Sequence, residues 1–193
     1  IRTVAANLTL TVHAQLQITT TTLPDAYDGQ TGYSATLTAT GGTGSYTWSI
    51  VSGDLTPNLT LDSSGVISGD IDSTASSSSP YNFTVEVTDG QQTARANLSI
   101  TVWQQLQITT TSLPEAYEEE TGYWVQLTAT GGNSANYAWS MSGTLPANLS
   151  WDASTATISG DIAAGTAGDY PLQFELTDGV QTVTLNLVLT VRA

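Results

Sequence analysis

The groups in this chain best suited to chemistry are carboxylates. Asp25, Asp28, Asp70 and Asp72 fall in short loops of the first half, and Asp178 in a tight turn of the second. Oxygen ligands from several such groups can hold a hard cation, calcium above all. No linear segment has the spacing of an EF-hand loop, and the Asp70/Asp72 pair becomes Asp161 and Ala163 in a later copy. A calcium site formed by Asp28, Asp70, Asp72 and Asp178 therefore depends on the fold bringing them to one joint; otherwise they are solvated acidic loops. Glu118, Glu119 and Glu120, with Glu115 nearby, are the densest charge and are expected to be a solvated loop.

Two other chemistries have candidates. Five Asn-x-Ser/Thr triplets occur, and strand alternation turns Asn7, Asn82 and Asn97 outward, where a glycan could be carried. Trp124 occupies the outward phase of a strand where the earlier copy has Ser34, so it could stack on a sugar ring. Trp103 is expected to plug the joint between domains, Trp151 to be core, and Trp48 and Trp139 to be core on the third strand. Catalysis has little material: His13 is the single histidine and cysteine is absent. No close carboxylate pair is bracketed by a pocket element. An enzyme is not expected.

The elements that must position these residues are written twice. Leu16-Gln17-Ile18-Thr19-Thr20-Thr21 returns as Leu106-Gln107-Ile108-Thr109-Thr110-Thr111, about 90 residues later. Tyr46-Thr47-Trp48-Ser49 returns as Tyr137-Ala138-Trp139-Ser140, and Thr88-Asp89-Gly90 as Thr177-Asp178-Gly179. Such self-similarity marks an array of like units. Asn7-Leu8-Thr9-Leu10-Thr11-Val12 also matches the ends of both units, at Asn97–Val102 and Asn186–Val191. Residues 1–13 are thus expected to be the final strand of a preceding, otherwise absent repeat, followed by repeats at 14–103 and 104–193. The apolar face of that strand, Val4 to Val12, calls for a partner: a neighbouring repeat of the same chain or an identical subunit, by strand addition.

Within each repeat the periodicity is two, not 3.6. Tyr33, Ala35, Leu37 and Ala39 alternate with hydroxyl residues, as do Tyr46, Trp48 and Ile50. Tyr81 to Val87 and Ala96 to Val102 continue the pattern, and the second copy repeats it. Outward threonines suit a half-solvated pleated face. Gly41-Gly42-Thr43-Gly44, Asp89-Gly90 and their counterparts supply turns, and Ser76–Pro80 a flexible loop. The expectation is an all-β chain: two Greek-key β-sandwiches of about seven strands each, arranged end to end. The short link through Trp103-Gln104-Gln105 would make the tandem stiff.

Composition removes several classes. The net charge is −14, with Arg2, Arg95 and Arg192 as the only cationic side chains. Nucleic acid and anionic membranes need cationic clusters that are missing here. Disorder is excluded by 39% hydrophobic against 10% charged residues. No disulfide can form, no apolar run is long enough to span a bilayer, and no signal peptide is recognised.

The ordered set Leu-Thr-Ala-Thr-Gly-Gly at 37–42 and 127–132, Tyr-x-Trp-Ser, Leu145-Pro146-Ala147-Asn148-Leu149-Ser150-Trp151-Asp152, Ile-Ser-Gly at 67–69 and 158–160, and Thr-Asp-Gly resembles the immunoglobulin-like repeat family of microbial surface proteins. That family is similar to cadherin-like and dystroglycan-type modules. Departures affect loops: the proline of the Leu-Pro segment is displaced to Pro57 in the first copy. Asn58 and Asn148 stand where the family has glycine, and Ile71 and Ile162 where it often has proline. The resemblance implies tandem immunoglobulin-like sandwiches at the cell surface or outside the cell, without catalysis. Two functions compete. One is a stalk, adhesin shaft or filament subunit. The other is a carbohydrate- or receptor-binding tandem attached to a secreted enzyme or adhesin, with surface glycans as partners.

Overall fold

The computed structural model describes residues 2–4 and 6–193; Ile1 of the expected leading strand, and Ala5, lie outside it. Strand makes up 46% of the chain and helix 4%, so the class is all-β. Contacts divide the chain into two compact units. The first comprises the chain up to Pro24 together with Gln30–Thr101, and the second comprises Asp25–Gly29 with Val102–Ala193.

In chain order the first ten strands are β1 (Gln17–Ile18), β2 (Ala26–Tyr27), β3 (Tyr33–Thr36), β4 (Ala39–Thr40), β5 (Thr47–Gly53), β6 (Leu59–Leu61), β7 (Val66–Gly69), β8 (Tyr81–Thr88), β9 (Thr93–Ile100) and β10 (Val102–Trp103). The remaining nine are β11 (Gln107–Ile108), β12 (Ala116–Tyr117), β13 (Tyr123–Gln126), β14 (Ala129–Thr130), β15 (Ala138–Gly143), β16 (Leu149–Asp152), β17 (Thr157–Gly160), β18 (Gly168–Thr177) and β19 (Thr182–Arg192). The first unit holds the ladders β3–β7–β6 and β5–β8–β9 with the pair β1–β4. The second repeats them as β13–β17–β16, β12–β19–β18–β15 and β11–β14. Strand β12 runs parallel to β19, and β2 runs parallel to β10 in the same way. That pairing is why Asp25–Gly29 goes with Val102–Trp103 in the division into units.

The two sheets of the second unit close on one core. Tyr123, Leu127 and Ile158 come from one side and Leu172, Phe174, Leu189 and Val191 from the other. Trp151 leans on Phe174 with ring centroids 5.4 Å apart, as tilted aromatic pairs prefer. Fully burying a side chain of Phe or Leu size contributes roughly 1.5–3 kcal/mol, which is why the inward phase of each strand is apolar. Tyr33 and Tyr123 pin the first loop of each repeat by donating to Pro24 O at 2.9 Å and Pro114 O at 3.1 Å. Burial, with Glu120 adding to it, pushes the Tyr123 phenol up to about 12.

Three expectations change in detail. The alternation from Tyr33 to Ala39 is not one strand: β3 pairs with β7 and β4 with β1, so the chain changes partner between Thr36 and Ala39. Trp139 is half-buried, unlike the buried Trp48. The Ser76–Pro80 stretch contains a 3₁₀ turn at Ala75–Ser78, held by the Tyr81 hydroxyl donating to Ala75 O at 2.9 Å. A second 3₁₀ turn spans Ser134–Asn136.

The described part of the leading segment is in no strand, and Val4, Leu8, Leu10 and Val12 are 83–94% exposed. Among the described residues, no helix is long and apolar enough to cross a membrane, which says nothing of strand-built spans.

Candidate functional site

The expected cation ligands are engaged in loop construction. Asp178 is fully buried. Its Oδ1 accepts from the backbone N–H of Val180 (2.9 Å) and Gln181 (2.6 Å), and its Oδ2 from that of Asn133 (2.9 Å). Burial raises its pKa, but the N–H groups of Gln181, Asn133 and Val180 together outweigh burial and hold the carboxyl below the usual aspartate range. Asp89 does the same in the first repeat, accepting from Gln91, Gln92 and Thr43. The turn's third partner was not singled out in the sequence: Gln92 and Gln181 accept from Leu16 N (3.0 Å) and Leu106 N (2.8 Å). The signal was available, since a glutamine stands three residues after the aspartate in both copies.

Asp70 Oδ1 accepts from Gly32 N at 2.8 Å, and Asp161 repeats the bond with Gly122 N. Asp72 Oδ1 accepts from the hydroxyl (2.7 Å) and N–H (2.9 Å) of Thr74, which hold its carboxyl below the ordinary range. Asp28 is half-buried, and its N–H donates to Trp103 O at 2.9 Å. Asp25 accepts from the Trp103 indole N–H at 2.9 Å. Among the described residues no three His, Cys, Asp or Glu side chains converge in a way that could hold a metal ion. The acidic loop after β12 is also structural in part: Glu118 accepts from Ala167 N (2.7 Å) and Glu120 from Tyr117 N (2.9 Å).

Asn7, Asn82 and Asn97 are all exposed. Asn82 faces Ser99 across β8 and β9, and Asn97 faces Thr84, whose hydroxyl donates to Asn97 Oδ1 at 2.8 Å. In the second repeat the Asn82–Ser99 pair becomes Pro171 and Val188, both exposed. These apolar residues border a shallow pocket of about 300 Å³ that the sequence did not reveal.

Trp124 is 62% exposed on β13. Its cross-strand neighbour is Ser159, and Ser150 follows on β16. Gln126, two residues on, shares its outward face and donates to Thr155 O at 2.9 Å. Beside Gln126 lies a cleft of about 450 Å³ lined by Tyr137, Trp139, Ser134, Ser154 and Thr155. The Tyr137 hydroxyl donates to Gly131 O; burial, then the Asp178 carboxylate, raises its pKa. This cleft, too, lay outside sequence reasoning, because its walls come from three separated stretches of chain.

Strand order and a core shared between two sheets define each repeat as an immunoglobulin-type sandwich. The chain belongs to the family described as Putative Ig domain, whose model matches residues 7–103 and again 107–192. Among solved structures it is similar to extracellular domains 3–5 of Drosophila OTK. That likeness has 13% identity over 93% of this chain and 60% of that one, with a TM-score of 0.60. It is also similar to the N-terminal eight Ig domains of Down Syndrome Cell Adhesion Molecule, at 13% identity over 94% of this chain and 25% of that one, with a TM-score of 0.54. At such identity the likeness is one of fold, and the chain spans 60% or less of either neighbour. No curated protein matches the chain.

Proposed function

We propose that this chain is a length of a non-catalytic, extracellular repeat array of a microbial surface protein, a stalk, adhesin shaft or filament. In it, the leading segment serves as the last strand of an immunoglobulin-type sandwich that needs one. The observation carrying this reading is the exposed stripe Leu8, Leu10 and Val12, in a segment, residues 7–12, whose sequence repeats that of the closing strands at 97–102 and 186–191. In those copies the same positions are inward: Leu98, Ile100 and Val102 are buried, as are Leu189 and Val191. An apolar face of this kind left in water is costly and forms an edge that other strands pair with. The acidic surface, with three cationic side chains in all, suits a soluble shaft that repels its copies except where strands interlock.

Hydrogen exchange on the full-length protein from its native source tests this. The amides of residues 7–12 are expected to be protected as strongly as those of 97–102 and 186–191. Free exchange at 7–12 beside protected closing strands would overturn strand addition, in the same chain or between subunits.

A further inference from the structure

On the solvent-facing side of β13 the second repeat differs from the first, and the difference is chemical. On the first repeat, the corresponding outward positions of β3 and its neighbours carry small side chains, mostly hydroxyls: Ser34 faces Ser68, Ser68 faces Thr60, and Thr36 faces the half-buried Val66. On the second, Trp124 replaces Ser34 and Gln126 replaces Thr36, while Ser159 and Ser150 keep the hydroxyls. Nothing in the sandwich calls for the indole at 124, because it is 62% exposed and lies on the face away from the core. The loop after β16 differs too. Gly65 of the first repeat lies so close to Trp48 that an added Cβ would be 2.7 Å from its indole nitrogen, and Trp48 is 5% exposed. In the second repeat Ala156 takes that place, Trp139 is only half-buried, and the cleft beside Gln126 has Trp139 in its wall.

We infer that Trp124, Gln126 and the adjoining cleft form a binding strip for a neutral polysaccharide chain. The apolar face of a pyranose stacks on an exposed indole, and its hydroxyls need donors and acceptors close by. Gln126, Ser150, Ser159, Ser154 and Thr155 supply both kinds. Along a strand, two residues advance about 7 Å, so Trp124 and Gln126 present successive contacts to a linear ligand that ends in the cleft. Charge selects the ligand's class. None of Arg2, Arg95 or Arg192 lies on the strip, Asp152 flanks it on β16, and the chain carries −14, so a uronate or sulfated glycan is repelled. A protein partner is less well served, because Trp124 is the strip's one exposed aromatic side chain, Tyr137 and Trp139 of the cleft are half-buried, and the surface between them is small hydroxyls rather than the apolar centre that interfaces use. The inference does not depend on strand addition by the leading segment, and either can fail alone.

The test is affinity electrophoresis of the intact chain through gels containing galactomannan, xyloglucan, a β-1,3-glucan or, as the charged control, alginate. The wild-type chain is expected to be retarded by at least one neutral gel and not by alginate. Trp124→Ser, which installs the first repeat's residue at an exposed position and should leave the thermal midpoint in place, is expected to weaken that retardation about tenfold. Gln126→Thr should weaken it by a smaller factor. Free migration of the wild type through all neutral gels, retardation by alginate alone, or equal retardation of Trp124→Ser would each overturn the proposal.

Discussion

The turn before the last strand is built the same way in both repeats, while the sheet face at residue 124 is not. Thr88-Asp89-Gly90-Gln91-Gln92 and Thr177-Asp178-Gly179-Val180-Gln181 make the same bonds to the same neighbours. The threonine hydroxyl donates to the glutamine carbonyl in each, and the aspartate collects N–H groups from its own turn and from a distant loop. Ser34 and Trp124 occupy one position in the ladder yet share nothing chemically. A group that satisfies buried backbone donors cannot be exchanged without orphaning them. A group that faces water constrains nothing behind it. Duplication therefore leaves this hydrogen-bonded turn alike in the two units and lets the outer face at residue 124 diverge.

The strongest way to break this comparison is to remove the clamp. Asp178→Ala strands the N–H groups of Val180, Gln181 and Asn133 and should cost about 3 kcal/mol, read as a lower denaturant midpoint. Asp89→Ala removes the same set of bonds from a half-buried site, where water can replace part of it, so a smaller loss is expected. Equal losses would show that burial does not set the difference.

A second effect is acid lability. Asp89 is held low chiefly by the N–H groups of Gln92 and Gln91; at Asp178, burial raises the pKa and the N–H groups overcome it. A depressed carboxyl contributes stability above its unfolded value, near 3.9, and loses it as pH falls through the folded value. Urea midpoints should therefore drop below about pH 4, and Asp178→Asn should flatten that drop. An unchanged slope in Asp178→Asn would remove this residue from the acid response.

The smallest effect sharpens the contrast by sign. Ala156 sits at φ 55°, where an L-residue is strained by roughly 1–2 kcal/mol, while Gly65 occupies the matching turn freely. Ala156→Gly should raise stability by up to about 1 kcal/mol, part of the relief being offset by glycine's greater chain entropy. Gly65→Ala should lower it, because the added methyl meets the Trp48 indole at 2.7 Å. Calorimetry that found both substitutions destabilising would show that the 156 turn is adapted to its alanine.

Much of the fold was legible because its signals are local. The alternation in β8 puts Phe83, Val85 and Val87 inside, and that in β9 puts Leu98 and Ile100 inside; all five are buried. The outward phase that placed Trp124, Asn82 and Asn97 in solvent held for the same reason. The candidate site was less legible. Asp178 has the composition of a surface turn, yet it is buried and accepts from the N–H of Asn133, 45 residues away. The cleft beside Gln126 is bounded by β13, the loop before β15, β15 itself and the turn after β16, whose spacing along the chain says nothing of their proximity.

By itself the sequence determined that this chain is a duplicated, acidic, all-β array, with the sequence of its closing strands written a third time at residues 7–12. Repeats and period-two patterning are properties of neighbouring residues and survive without coordinates. Only the tertiary structure decided which carboxylates are spent on backbone N–H groups, that Asp178 is buried, and that a cleft opens beside Gln126. Each of those is set by partners distant in the chain, and burial is a property of the packed molecule.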